Sequence, residues 1–134
     1  MPALFSEVRR TFASDMTALV AAVRARAPDA RIVIATNINS ADKGGLENLN
    51  CAPYSVYRQG RTRLINGMNA AVEAQGATVV DLNCDSRLYD VKNYLTPVDL
   101  HPNDKGHAII AADFLAAIQH PVPPAPCKYD SVLR

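Results

Sequence analysis

The chain has no tryptophan and few aromatics of any kind: three Phe and five Tyr in 134 residues. That is thin material for a surface that stacks nucleic-acid bases on rings. It also lacks an excess of either charge. Fourteen Lys and Arg stand against thirteen Asp and Glu, for a formal net charge of +1, and no basic stripe or acidic run breaks the mixture. Nucleic acid and anionic membrane are therefore poor partners. No apolar run approaches the roughly 20 residues that span a bilayer. The first residues do not read as a signal peptide, because Glu7, Arg9, Arg10 and Asp15 interrupt any apolar segment. Cysteine is scarce as well. Cys51, Cys84 and Cys127 are too far apart for a zinc knuckle or a CxxC redox motif. Two readings stay open: unpaired thiols, or a disulfide between Cys51 and Cys84. Each of those two follows a predicted strand, which would put both at one edge of a parallel sheet. A bridge there would contribute about 3 kcal/mol and would point to an oxidising compartment.

What is present is core-forming. Hydrophobic residues make up 49% of the chain, enough for one domain of ordinary size. Residues 3–27 read as a helix with an apolar stripe of Leu4, Val8, Phe12, Met16, Leu19, Val20 and Val23, stopped by Pro28-Asp29. Residues 31–37 are short, β-branched and apolar on both faces, as a buried strand is. A long loop leads to a second helix over 54–75, which buries Leu64, Ile65, Met68 and Val72 and ends at Gly76 as a C-terminal cap. Gly60 and Gly67 weaken it by about 1 kcal/mol each relative to Ala. Residues 77–82 form the second strand. Residues 83–101 form a loop long enough to imply a function. The last helix starts near Pro102-Asn103, with Asn as the cap and Asp104 at the positive helix end. Its apolar stripe is Ile109, Ile110, Phe114, Leu115 and Ile118. The proline-rich stretch from Pro121 ends it, so residues 1–120 form the domain and 121–134 an extended tail.

The order is α-β-α-β-α, and a strand–helix–strand unit places its strands parallel. Two strands apolar on both faces need helices above and below and strand neighbours beside them. Three helices can cover the faces, but nothing in the chain covers both sheet edges. The expectation is part of a larger doubly wound α/β domain, or a sheet whose uncovered edge is met by a partner or a second copy.

The most chemically suggestive stretch is Asp99-Leu100-His101-Pro102-Asn103-Asp104-Lys105-Gly106-His107. Open parallel sheets bind ligands beyond the carboxyl ends of their strands. The loop carrying His101 runs along that edge, where an imidazole can shuttle a proton. The position by itself also suits a surface or helix-capping histidine. The block, followed by Ala-Ile-Ile-Ala-Ala-Asp-Phe-Leu, resembles the last conserved block of the SGNH (GDSL-type) esterase and lipase family. Asp81-Leu82-Asn83 onward to Asn93-Tyr94 resembles the loop leading into that block. Pro28-Asp29 through Thr36 resembles the strand after the family's long central helix. The likeness covers roughly residues 3–119.

The resemblance implies a three-layer α/β/α, flavodoxin-like fold, here its C-terminal half. It implies a serine that attacks a carboxylic ester, a histidine that takes the serine proton, an acid that orients the histidine, and an oxyanion hole. No cofactor is needed for that chemistry, and the partner is a small ester. Carried over by position, His101 is the general base, and Pro102 and Asn103 form the turn that fixes it. A secreted or periplasmic location is the mild preference. Three departures accompany the likeness. No Gly-Asp-Ser block surrounds Ser6, Ser14, Ser40, Ser55, Ser86 or Ser131. The oxyanion Gly and the Gly-x-Asn-Asp block are absent. Val98 stands at the acid position three before the histidine, and Asp99 only two before. The catalytic candidates are thus His101 and Asp99, in a chain without its own nucleophile block.

Other features carry less. Asp99, His101, Asp104 and His107 do not have the one-face spacing of helical metal ligands, so no metal is expected. His107 is expected to pack in the first turn of the last helix. Gly44-Gly45 lacks the Lys-Ser/Thr of a phosphate loop, His120 suits the negative end of a helix, and Asn37 and Asn39 suit either a turn or the lining of a cleft.

Overall fold

The computed structural model describes residues 2–38, 52–96 and 101–123. In chain order come α1 (Pro2–Arg26), β1 (Val33–Ala35), α2 (Ala52–Glu73), β2 (Thr78–Val80), three short 3-10 turns (Leu82–Cys84, Ser86–Tyr89, Val91–Asn93) and α3 (Asp104–Gln119). The expected α-β-α-β-α order is present. The strands pair in parallel, Val33 opposite Thr78, Ile34 opposite Val79 and Ala35 opposite Val80. The ladder is extended at each end by Thr78 N–H donating to Ile32 (3.0 Å) and Thr36 N–H donating to Val80 (2.9 Å).

The strands are shorter than the apolar runs that predict them. At the amino end Arg31 turns away to the last turn of α3, where Nη1 donates to the Ile118 carbonyl (2.6 Å) and Nε to Thr78 Oγ1 (3.4 Å). At the carboxyl end the chain after Val80 winds at once into the first 3-10 turn. Alternation sends Val33, Ala35 and Val80 to one face. There they pack with Leu82, the fully buried Leu88, and Ile109, Ile110, Phe114 and Ala117 of α3. Ile34 and Val79 point to the other face, and Val79 is buried too. Both faces are covered, as an α/β domain requires. Among the described residues no further strand pairs with either sheet edge.

α1 packs against α2. Phe5 lies directly over Gly60, and the Arg9 side chain over Gly67, so the two glycines that lower helix propensity leave room for side chains of α1. Gly76 has φ +62, the left-handed conformation of a helix-ending glycine. Arg24 of α1 donates to the carbonyls of Gln75 (2.7 Å) and Gly76 (3.3 Å) at this end.

Two expected stripes are only partly buried. On α1, Val20 is 3% exposed, but Leu4 and Leu19 are 59% and 60% exposed, and Val8 and Val23 are open as well. On α3, Ile109, Ile110 and Phe114 join the core, whereas Leu115 and Ile118 face outward. A stripe this wide exceeds the contact that one neighbouring element can make, so its flank stays uncovered.

Candidate active site

Arg31 sets the direction of α3. By tying Ala117 and Ile118 to the amino end of the strands, it leaves the amino end of the helix at the opposite, carboxyl edge of the sheet. Sixteen helical residues rise about 24 Å, more than a three-residue strand spans, so residues 101–104 lie beyond the strand ends. His101 is therefore at the rim where open sheets place ligands.

The backbone around His101 is held from two sides. Tyr94 and Pro102 form an antiparallel bridge, Leu95 N–H donates to the His101 carbonyl (3.1 Å), and Asn103 N–H donates to the Asn93 carbonyl (3.0 Å). The Asn103 side chain then joins two pieces of chain. Its Oδ1 accepts from Lys105 N–H (3.0 Å) and Gly106 N–H (3.1 Å), capping α3. Its Nδ2 donates to the carbonyls of Lys92 (2.8 Å) and Tyr94 (2.9 Å). Only a side chain with an acceptor on one atom and two donors on the other does both. Gly106 completes the joint: a Cβ there would lie 2.3 Å from the Asn93 carbonyl oxygen. Gly106 is the buried residue of this turn and His107 is exposed, which corrects the expectation that His107 packs inward. The helix presses on the preceding turn through its backbone, which leaves the neighbouring side chain outside. His101 itself is exposed.

The strand ends carry a polar network that periodicity does not reveal. Thr36, 3% exposed, donates from Oγ1 to Asp81 Oδ1 (3.1 Å) and accepts from Asn83 N–H (3.0 Å). Asn69, equally buried, sits on the apolar side of α2. It accepts from Asn37 N–H (2.7 Å) and donates to Asn37 O (2.9 Å), fixing the exit of β1. Tyr89 OH donates toward Asn83 (2.9 Å to its carbonyl) and Tyr94 OH to Leu88 O (2.5 Å). Burial raises the Tyr94 phenol, which keeps it a donor. A sequence signal existed at Asn69, a polar residue one helical turn from each of Ile65 and Val72 on the same face. Thr36 offered none, because a threonine at a strand end is ordinary.

The loop predicted over 83–101 is wound, where described, into consecutive 3-10 turns. Asp85 and Asp90 start the second and third by accepting from Arg87 N–H and Lys92 N–H. This is the short-range bonding that Asp offers at turns. Asp85 also holds the Arg87 guanidinium, whose Nη2 reaches Asp113 Oδ1 of α3 at 2.7 Å. Burial by itself would raise the Asp85 carboxyl, but the bonds from Arg87 hold it below its ordinary value. Asp113 is pushed up to about 6, by burial first and then by the neighbouring Asp85 charge, against the pull of Arg87.

The model of the GDSL-like lipase/acylhydrolase family matches residues 3–109. The chain belongs to that family. Searches of curated proteins and of solved structures returned no match. Membership agrees with the sheet and helix order described above and makes the chain a relative of SGNH-type hydrolases, with the α/β fold of that family.

Of the two family site residues expected here, His101 is at the rim, and Asp99 lies outside the described residues together with Val98. Cys84 is disulfide-bonded, which settles one of the two readings of that thiol; Cys51 and Cys127 lie outside the described residues. Asn37 serves the β1 exit through its backbone, and Asn39 is outside the described residues. His120 is the C-terminal cap residue of α3. Among the described residues no three His, Cys, Asp or Glu gather as metal ligands would, and no helix is long and apolar enough to cross a membrane.

Proposed function

We propose that this chain supplies the general-base block of an SGNH-type carboxylic ester hydrolase acting on an acyl or acetyl ester, such as one on a lipid or sugar. His101 takes the proton of a serine hydroxyl as the hydroxyl attacks the ester carbonyl, and later returns it to the leaving alcohol. Asp99 orients the imidazole. The observation that carries the reading is the doubly anchored backbone at residues 101–103, beyond the carboxyl ends of the strands, with His101 exposed. A histidine with its backbone held this firmly in an exposed position is what proton transfer needs.

The sequence holds no Gly-Asp-Ser block, so the nucleophile is not supplied by these residues. Loss of a nucleophile removes on the order of a millionfold of rate, and loss of an oxyanion donor about a hundredfold or more. The chain alone is expected to hydrolyse short p-nitrophenyl esters at background rate, the same as its His101→Ala variant. Turnover well above that variant would show a nucleophile within the chain and overturn the reading of an incomplete site. In an intact domain that adds the serine block, His101→Ala should abolish hydrolysis and Asp99→Asn should lower it. Full activity in His101→Ala would end the proposal.

One observation favours a second reading. The described sheet has two strands and an unpaired edge on each side, and such edges recruit strands. On this reading the chain is a non-catalytic assembly module that pairs with another copy. Sedimentation velocity separates the two: a concentration-dependent dimer supports the module, and a monomer at high concentration excludes pairing between copies.

A further inference from the structure

We propose that Asp85, Arg87 and Asp113 form a proton-closed clasp that positions the segment carrying His101. The functional weight of the clasp rests on the reading of His101 given above; its structural content does not.

The three side chains meet where the wound loop after β2 touches the middle of α3. Arg87 Nη2 lies 2.5 Å from Asp85 Oδ2 and 2.7 Å from Asp113 Oδ1. Asp85 Oδ1 also accepts from Arg87 N–H (2.8 Å). From Arg87 a series of hydrogen bonds continues to the candidate site. The Arg87 carbonyl accepts from Asn93 Nδ2 (2.8 Å). The Asn93 carbonyl accepts from Asn103 N–H (3.0 Å), and the next residue, Tyr94, bridges Pro102. Each step joins short, hydrogen-bonded pieces, so play at Arg87 becomes play at residues 101–103.

The charges do not balance. With both acids ionised, two carboxylates share one guanidinium, and Asp113 Oδ2 is buried with no hydrogen-bond donor. Both carboxylates sit on the same guanidinium nitrogen, and two that close repel unless one carries a proton. A proton on Asp113 turns that repulsion into a hydrogen bond donated to Asp85. No other charged group competes among the described residues packed against Asp113. β2 has none, Arg31 is spent on the carbonyls of Ala117 and Ile118, and Asp90 and Lys92 of the third 3-10 turn are exposed. Along α3 the neighbours one turn away are Ile109, Ile110, Ala116 and Ala117.

The sign follows from linkage. An acid raised to about 6 in the folded chain holds its proton where the unfolded chain has lost it. The clasp therefore stabilises fully below pH about 4 and loses that stabilisation as pH rises through 6. An ordinary ion pair runs the opposite way, strengthening as Asp113 ionises.

The test is carbon-detected NMR of the side-chain carboxyls together with amide spectra of the full chain between pH 4 and 8. The series covers the native chain, Asp113→Asn and Asp113→Ala. It is repeated in a His101→Ala background so that the His101 ring contributes nothing to the shifts. The Asp113 carboxyl should titrate near 6, and the amides of Leu95 and Asn103, which bond the His101 and Asn93 carbonyls, should shift with the same midpoint. Asp113→Asn, whose carboxamide can still donate to Asp85, should hold those amides at their low-pH positions throughout. Asp113→Ala should hold them at their high-pH positions. An Asp113 carboxyl titrating near 4, or Leu95 and Asn103 amides unmoved through its titration, overturns the proposal; the carboxyl measurement on the native chain stands even if a variant fails to fold. Absence of ester turnover bears on the proposed function and leaves the clasp untouched.

Discussion

Replacing Gly106 by alanine sets two effects of opposite sign against each other. In a helix interior alanine is better than glycine by about 0.5–1 kcal/mol, because it loses less backbone freedom on folding. Against that stands the space around the position. A Cβ at residue 106 would lie 2.3 Å from the Asn93 carbonyl oxygen and 2.7 Å from Pro102 Cβ. A comfortable carbon–oxygen approach is about 3.3 Å or more, so α3 and the preceding turn must separate by about 1 Å. Neither partner gives way easily. The Asn93 carbonyl already accepts from Asn103 N–H, and Pro102 is bridged to Tyr94. Separation stretches the two bonds from Asn103 Nδ2 to Lys92 and Tyr94, each worth about 1 kcal/mol, and overpacking adds about 1–3 kcal/mol. The crowding outweighs the propensity gain, and Gly106→Ala should lose about 2–3 kcal/mol, a large part of the total for a domain of this size. Urea unfolding followed by circular dichroism measures it, with an unchanged m-value showing that only stability moved. A midpoint at or above that of the native chain would refute the reasoning, since it would mean the helix start is free to shift.

Gly67→Ala gives the contrasting outcome. The three atoms nearest its Cβ would all belong to the Arg9 side chain, Cδ at 2.0 Å and Cγ at 2.7 Å among them; Arg9 is exposed and swings aside, so the same urea assay should show no loss or a gain of up to about 1 kcal/mol. Thr36→Val keeps the shape but removes the hydroxyl that accepts from Asn83 N–H and donates to Asp81. The buried N–H left behind should cost about 1–3 kcal/mol, and an unchanged melting temperature would show that the strand-end network contributes nothing.

Much of the architecture was legible because its causes are local. Helix periodicity, a β-branched run and the Pro28-Asp29 stop placed α1 and β1 near their observed positions. Asn103 and Gly76 announced a helix start and a helix end by the chemistry of their own backbone surroundings. The His-Pro-Asn block led to the rim and to the family because its residues are contiguous. The features that escaped are made by residues far apart in the chain. Arg87 meets Asp113 across 26 residues and Thr36 meets Asp81 across 45, and no window of sequence contains either pair.

From its amino acids alone, then, this protein has its element order, parallel pairing and cap residues, since propensity, periodicity and capping act within a few residues. The tertiary structure alone decided how short the strands are, which side of each apolar stripe is covered, that Gly106 rather than His107 turns inward, and that two aspartates share one arginine. Those outcomes depend on which surfaces meet. Contact, burial and charge proximity are set by distance in space, which a linear order of residues does not specify.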